Sequence, residues 1–232
     1  MTIRAAAGQP TGVDAAVPLL FPLGHDIGAY YQAGTSTDPS RRVRLGPHYH
    51  ELTRQQFVVW RLAHGSQEAI QSETPWGRQS VETLAKATGI VDAVDLVDEL
   101  TEKGLLVGVA PGSRDARSFA IGHRLLPSML GLGNSPKEPW LFGIGLVDMP
   151  IVKVTFPVFD LWQWSSMDET LWDACRSAAE IAERHGVDDP ESTDPKRLLT
   201  GFLGALHGIL AAGAAHLDIA FRLQHPHPKA AA

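Results

Sequence analysis

Two pairs of closely spaced histidines are the first residues whose types and spacing could do chemistry. His48 and His50 lie in "HYHE", and His225 and His227 lie in "HPHP". Alternate residues of an extended segment point to one side, so either pair could chelate a metal ion. Such short pairs constrain ligand geometry poorly, and the sequence holds one cysteine and no His-Glu-x-x-His helix. We therefore expect neither a metal site nor a cofactor.

Aromatic and thiol side chains offer a second kind of chemistry. Trp162, Trp164 and Trp172 could together stack on a ligand, although packing in the core is the more usual use of tryptophan. Cys175 falls on the apolar side of a helix, where a small core residue is expected and not a nucleophile. No glycine-rich loop has the context of a nucleotide site. The sequence thus predicts no catalytic residue and favours a binding protein over an enzyme.

Composition restricts the compartment and the partners. The chain has 232 residues, 44% hydrophobic residues and a net charge of −6, which describes a folded protein with no general attraction for nucleic acid or anionic membrane. A single cysteine excludes an intrachain disulfide, so the cytoplasm is the expected location. Residues 1–15 read as a disordered leader and not as a signal sequence, and residues 224–232 read as a flexible tail.

The elements that must position a site are clearest in residues 16–118. A short strand at "VRLG" precedes a helix for which Thr53 and Gln56 form a capping box. A second short helix begins at Ser80, and a third carries an apolar stripe that includes Leu96 and Leu100. The run "LLVGVAPGSRDARSFAIG" predicts a β-hairpin around its Pro-Gly turn.

The order of elements in "SVETLAKATGI…LVDELTEKGLLVGVAPGSRDARSFAI" resembles that of the helix-turn-helix and wing of winged-helix transcriptional regulators. In a DNA reader the third helix would present basic or amide side chains to the major groove. Here its solvent side is acidic, with Asp92, Asp95, Glu99 and Glu102 at helical spacing and Asp98 beside them. Carboxylates repel phosphates, so nucleic acid is not the expected partner. Arg114 and Arg117 in the predicted wing are the candidate DNA contacts of this alternative.

A second resemblance covers "RRVRLGPHYHELTRQQFVVWRLAHG" together with the two helices that follow it. This order is similar to the peptide-chaperone proteins of the pyrroloquinoline-quinone pathway and to the leader-recognition domains of enzymes that modify ribosomal peptides. The resemblance implies that an extended peptide adds as a strand beside the third helix. It makes Arg41, Arg42 and Arg44 candidate contacts for an acidic peptide, with Leu96 and Leu100 lining the groove.

Residues 119–223 repeat the first module in outline. "FAIGH" (119–123) matches "FPLGH" (21–25), and "VFDLW" ending at Trp162 matches "QFVVW" ending at Trp60. The offsets drift only slightly, as loop insertions between duplicated modules would produce. We predict an α+β fold, mainly helical with small antiparallel β-elements, built from tandem winged-helix-like modules. The alternative is one winged helix joined to an unrelated helical half.

The last predicted helix spans roughly 195–223 and begins at Asp194 and Pro195. It has no charged residue from Leu198 to His216. Its many glycines and alanines make it too weakly apolar for a membrane span, so we expect no membrane partner. Small residues, among them Gly201, Gly204, Gly208 and Ala212, would pack against the core or against a second subunit in a homodimer.

These observations lead to one functional expectation and one alternative. The expectation is a non-enzymatic module that binds a peptide or protein, such as a precursor peptide presented to a modifying enzyme. The alternative is a winged-helix transcriptional regulator whose C-terminal helices form a dimerisation or effector domain.

Overall fold

The computed structural model describes residues 17–31, 34, 39–66 and 74–224. The predicted leader over 1–15 lies outside the described residues, and so does the tail beyond Gln224 with its histidine pair. The predicted α+β class is confirmed, since helices alternate with small antiparallel sheets along the chain.

The described residues of the first half form four strands, three helices and a fifth strand. Its strands are β1 (Leu19–Pro22), β2 (His25–Tyr30), β3 (Ser40–Leu45), β4 (His48–Leu52) and β5 (Leu106–Val109). Its helices are α1 (Arg54–Leu62), α2 (Arg78–Ala87) and α3 (Ala93–Glu102). Strands β2, β3 and β4 form one sheet in that order, and β5 returns to pair with β1.

Local sequence accounts for where these helices begin and which side they bury. The Thr53 hydroxyl accepts the Gln56 backbone N–H at 3.2 Å while the Gln56 side chain accepts the Thr53 backbone N–H at 3.1 Å, so the predicted capping box is confirmed. The predicted start of α2 at Ser80 is slightly too late in the chain, because the helix begins at Arg78, directly after Gly77. The apolar stripe of α3 is buried as predicted.

The second half has the same order of elements after a connecting helix, α4 (Arg114–Gly122). Its strands are β6 (His123–Pro127), β7 (Leu130–Ser135), β8 (Glu138–Leu146), β9 (Met149–Thr155) and β10 (Ala215–Ile219). Its helices are α5 (Phe156–Trp164), α6 (Leu171–Arg184), α7 (Pro190–Thr193), α8 (Pro195–Ala211) and α9 (Phe221–Gln224), with a short 3-10 helix at Ser165–Met167. Strands β7, β8 and β9 form a sheet in that order, and β10 pairs with β6.

Equivalent residues in the two halves take equivalent places. Trp60 in α1 and Trp162 in α5 are both buried. Each indole N–H donates to a backbone carbonyl, that of Leu23 at 3.0 Å and that of Ala214 at 2.9 Å. The tryptophan match noted in the sequence therefore lies on helices that occupy the same position in the order of elements.

The "FPLGH" and "FAIGH" match does not hold, because the two strings lie on different elements. "FPLGH" spans the end of β1 and the first residue of β2, whereas "FAIGH" ends α4 and opens β6. The pairing of β1 with β5 and of β6 with β10 makes Leu19–Pro22 the counterpart of His123–Pro127. His25 and His123 are consequently not equivalent, and the predicted boundary between residues 118 and 119 falls inside a helix.

The predicted wing hairpin is also wrong. Strand β5 pairs with β1, and the residues after its Pro-Gly turn form helix α4 with Ser113 as N-cap. Residues 116, 119 and 120 of α4 are buried in a core shared with the second half, and burial of that helical stripe outweighs the β-propensity of the segment.

The last predicted helix is shorter than expected. Asp194 caps it and Pro195 opens it as predicted, but α8 ends at Ala211, and Gly213 with φ of +67° turns the chain into β10. The apolar side chains of α8 pack in the chain's own core. Of the small residues assigned to close packing, Gly208 is buried, while Gly201 and Gly204 face solvent with open space above them.

The two halves share a hydrophobic core. Phe21 of β1 lies against Phe119 of α4 with ring centroids 5.8 Å apart, and it stacks on His207 of α8 at 4.7 Å. The His207 Nε2–H donates to the Leu20 carbonyl at 2.9 Å, and the Gly24 N–H donates to the Leu217 carbonyl at 2.8 Å. This contact region, the seam between the halves, therefore contains a backbone hydrogen bond as well as packed side chains.

Candidate functional site

The arginines predicted to contact a partner lie on the central strand of the first sheet. Arg41, Arg42 and Arg44 belong to β3, which pairs with β2 on one side and with β4 on the other. A peptide cannot add to a strand whose two edges are occupied. The prediction that a partner joins this strand is therefore wrong, and only β2 and β4 remain as outer strands of the sheet.

Strand β4 is the regular outer strand. The other outer strands of the three-stranded sheets each carry a feature that blocks addition of a further strand. The register shifts between Asp26 and Ala29 in β2 and twice within β7, and β9 contains Pro150, which has no N–H to donate. Strand β4 pairs with β3 without a register shift and contains no proline.

The hairpin that joins β3 to β4 determines which backbone groups of β4 point away from β3. Leu45 and His48 pair across the two-residue turn Gly46-Pro47, in which Gly46 has φ of +57°. Bonded and non-bonded pairs alternate along an antiparallel ladder, so the N–H and C=O groups of Tyr49 and Glu51 point away from β3. In the second half Pro150 pairs with Gly145 at the position that corresponds to Tyr49. The two modules thus differ at the residue that decides whether a strand can add.

Each predicted arginine already has a partner within the fold. The Arg41 guanidinium lies over the Phe57 ring at 5.0 Å. Arg42 is held between Tyr30 and Tyr49, 3.6 and 4.6 Å from their ring centroids, and it donates to Glu51. Arg44 donates to Asp218 at 3.0 Å. These charges are balanced or stacked, which weakens the expectation of an acidic peptide.

The C-terminal end of helix α3 lies near β4, and the two leucines predicted to line a groove there are buried. Leu96 and Leu100 are 6% and 0% exposed and pack in the core of the first half, so the prediction that they contact a partner is wrong. Burial lowers the pKa of His50 in β4, and the nearby Lys103 and His48 lower it further, which places the C-terminal end of α3 close to this strand. Glu99 accepts a hydrogen bond at 2.7 Å from Gln56 in the first turn of α1.

The solvent side of α3 is acidic, as the sequence predicted. Its exposed carboxylates are Asp92, Asp95, Asp98, Glu99 and Glu102. Asp98 pairs with Arg78 at 2.5 Å, and that hydrogen bond lowers the pKa of the carboxyl group. Asp95 and Glu102 have no salt-bridge partner among the described residues. A ligand lying along β4 would pass the C-terminal end of this negatively charged helix.

The tryptophans do not form one stacking platform. Trp162 is 2% exposed and lies in the core, which excludes direct contact with a ligand. Trp164 is exposed on α5, and Trp172 on α6 is covered by the Arg117 guanidinium at 4.9 Å. Arg114 and Arg117, the alternative DNA contacts, lie on helix α4 and not on a wing.

The candidate thiol is buried, and the candidate histidine pair of β4 has no third metal-ligating side chain beside it among the described residues. Burial raises the pKa of the Cys175 thiol to about 12, so the thiolate that a nucleophile requires does not form at neutral pH. No group of three or more metal-ligating side chains occurs in the described part of the chain, although His48 and His50 do share one side of β4.

Comparison with known proteins gives no relative: no family model, no curated protein and no solved structure matches the chain significantly. Among the described residues, no helix has the length and apolar character that crossing a bilayer requires.

Proposed function

We propose that the chain is a non-enzymatic peptide-binding module, and that its partner adds to the outer edge of β4 as an antiparallel strand. The observation that carries this proposal is the contrast between the outer strands of the two sheets. Among the four outer strands of the three-stranded sheets, proline or a register shift protects three, and β4 keeps regular backbone donors and acceptors that point outward. An unprotected regular edge invites pairing, and peptide-recognition domains use such edges for main-chain hydrogen bonds.

The proposed peptide carries basic side chains. A strand on β4 would pass the C-terminal end of α3, a helix whose exposed side bears five carboxylates and which is followed by Lys103. Arg42 and Arg44 are already paired with Glu51 and Asp218, so among the three arginines of β3 only Arg41, which lies over the Phe57 ring, is without a carboxylate partner in the described residues. A precursor peptide delivered to a modifying enzyme, as the leader-recognition resemblance implies, is the partner that fits an extended binding mode.

Selection from a phage-displayed library of random linear peptides on the immobilised full chain is expected to enrich sequences rich in lysine and arginine. Tyr49→Pro should then weaken binding of a selected peptide by at least about tenfold, because it removes an outward N–H and its ring obstructs the edge. The pairing of β4 with β3 does not use that N–H, so the variant should stay folded. Fluorescence anisotropy measures the affinity, and circular dichroism checks the fold.

The matched control is Tyr49→Val, which removes the aromatic ring but keeps the backbone N–H. Its affinity should stay close to that of the parent chain. Equal affinities for Tyr49→Pro and Tyr49→Val would mean that β4 is not the docking strand. Enrichment of acidic peptides would contradict the charge assigned to the partner.

A further inference from the structure

A cluster of charged and titratable side chains crosses the seam between the halves, on the outer faces of two neighbouring sheets. His25 pairs with Arg44 in the first sheet, and Arg124 pairs with Asp218 in the β6–β10 ladder. The His25 and His216 rings lie 4.4 Å apart across the seam. The strand registers thus bring two arginines, two histidines and one carboxylate into one surface region.

The carboxylate of the cluster already accepts hydrogen bonds from three groups. Asp218 is 1% exposed and accepts hydrogen bonds from the Gly46 N–H at 2.7 Å, the Ile219 N–H at 2.9 Å and the Arg44 guanidinium at 3.0 Å. Asp218 therefore fixes the tip of the β3–β4 hairpin to β10. Its negative charge balances Arg44, so Arg124, whose guanidinium lies 5.7 Å from the centroid of the Phe221 ring, has no carboxylate partner among the described residues.

Two polar atoms of the same cluster have no partner. Arg124 Nε and His216 Nε2 are buried and make no hydrogen bond in the described structure. The other ring nitrogen of His216, Nδ1, lies 3.2 Å from the Ser128 hydroxyl oxygen. When that hydroxyl donates to Nδ1, the ring proton lies on Nε2, and both unpartnered atoms are donors. An unsatisfied buried donor costs about 1–3 kcal/mol, so an acceptor at this place would be stabilising.

We propose that this cluster binds a small oxyanion, a carboxylate or a phosphate group, between the Arg124 guanidinium and the His216 ring. Arginine presents a planar set of donors that matches both kinds of oxyanion. One negative charge would balance Arg124, and Ser128, which is exposed beside His216, marks the side from which solvent reaches the cluster. The proposal is independent of peptide binding at β4.

The groups around His216 make its titration a direct reporter. Burial, together with the nearby His25, Arg44 and Arg124, lowers the pKa of His216 to about 4, and Asp218 opposes this shift. A bound anion would oppose the three cationic contributions and raise this pKa. The ring resonances of His216 in a proton NMR titration would report that change.

The test uses inorganic phosphate and acetate as probes, with sodium chloride at matched ionic strength as the reference. We expect calorimetric titration of the full chain to show saturable binding of at least one probe, with a pKa of His216 that rises on binding. Phosphate alone would identify a phosphate source, and acetate alone a carboxylate source. Absence of binding to the parent chain, or a His216 pKa that does not respond, would overturn the proposal.

Arg124→Gln should abolish the saturable binding, whereas Arg117→Gln, which removes a cation from α4 outside the cluster, should leave it intact. If Arg124→Gln does not fold, His216→Gln provides the same comparison, since it removes the second donor. Binding that survives in a folded variant of either residue would contradict the assignment of the site.

Discussion

Acidification from about pH 7.5 to about pH 5 is expected to lower the free energy of unfolding, with about 4 kcal/mol of the loss coming from the two most deeply buried histidines, His64 and His207. Burial lowers the pKa of His64 to about 4 and that of His207 to about 4, against an ordinary value of 6.5. The unfolded chain therefore binds more protons than the folded chain in this range. The stabilisation is complete above pH 6.5 and is lost as the pH falls toward the folded-state value.

The contacts of the two rings explain why protonation is unfavourable. His207 stacks on Phe21 and donates to Leu20, and His64 donates from Nδ1 to the Trp60 carbonyl at 3.0 Å. After burial, the positive charge of Arg61 and the proximity of His207 also contribute to the low pKa of His64, and the hydrogen bond to Trp60 opposes them. Each ring contributes about 2 kcal/mol at pH 5 on these shifts.

Urea unfolding followed by tryptophan fluorescence at a series of pH values measures the effect. His207→Gln can keep a donor toward Leu20 but cannot titrate, so the loss of stability over this pH range should be about 2 kcal/mol smaller than in the parent chain. An unfolding free energy that is the same at both ends of the pH range would show that the histidines are not buried in neutral form.

Asp218→Ala is expected to destabilise the protein by about 3–5 kcal/mol, the cost of breaking a buried ion pair. The substitution leaves the Gly46 N–H without its acceptor and Arg44 without its carboxylate. These groups join the β3–β4 hairpin of the first half to β10 of the second. Loss of the carboxylate should therefore weaken the contact between the halves as well as the strand on which it lies.

Denaturant unfolding also measures this prediction, with two comparison variants. Asp218→Asn keeps a carbonyl acceptor and should be less destabilised than Asp218→Ala. Glu102→Ala removes an exposed carboxylate from α3 and should change stability by no more than about 0.5 kcal/mol. A loss for Asp218→Ala no larger than that of Glu102→Ala would contradict the structural role of this carboxylate.

Sequence patterns predicted the elements whose boundaries depend on local chemistry. The capping box at Thr53 and the start of α8 at Asp194 are local, because the side chains that form them lie within three residues of each other. The apolar stripe of α3 is likewise a property of one helix. The helical segment at 114–122 was mistaken for part of a hairpin, because only its burial against the second half distinguishes it from a strand.

Strand β10 was missed although the sequence carried a signal for it. The alternation in "AHLDI" places His216 and Asp218 on one face and the buried Ala215 and Leu217 on the other. The long apolar run of α8 obscured this change of period from helix to strand. Local patterns also do not reveal the charged cluster at the seam between the halves, because its residues come from four strands.

The sequence predicts that a strand takes part in peptide binding, but it does not predict which strand. The string "RRVRL" indicates a strand with basic side chains, but which strand lies at the edge depends on pairing with residues far along the chain. Arg44 meets its carboxylate at Asp218, a separation that local patterns cannot reveal. Pro150 can be recognised as the counterpart of Tyr49 only when the hairpins of both halves are compared.

The most direct test of the peptide-binding account is amide hydrogen exchange, measured by NMR on the full chain with and without a peptide selected from the library. The account predicts that the Tyr49 and Glu51 amides exchange freely in the free protein and become protected when the peptide is bound. Unchanged exchange at both amides, with protection appearing on another strand instead, would contradict addition of the peptide at β4.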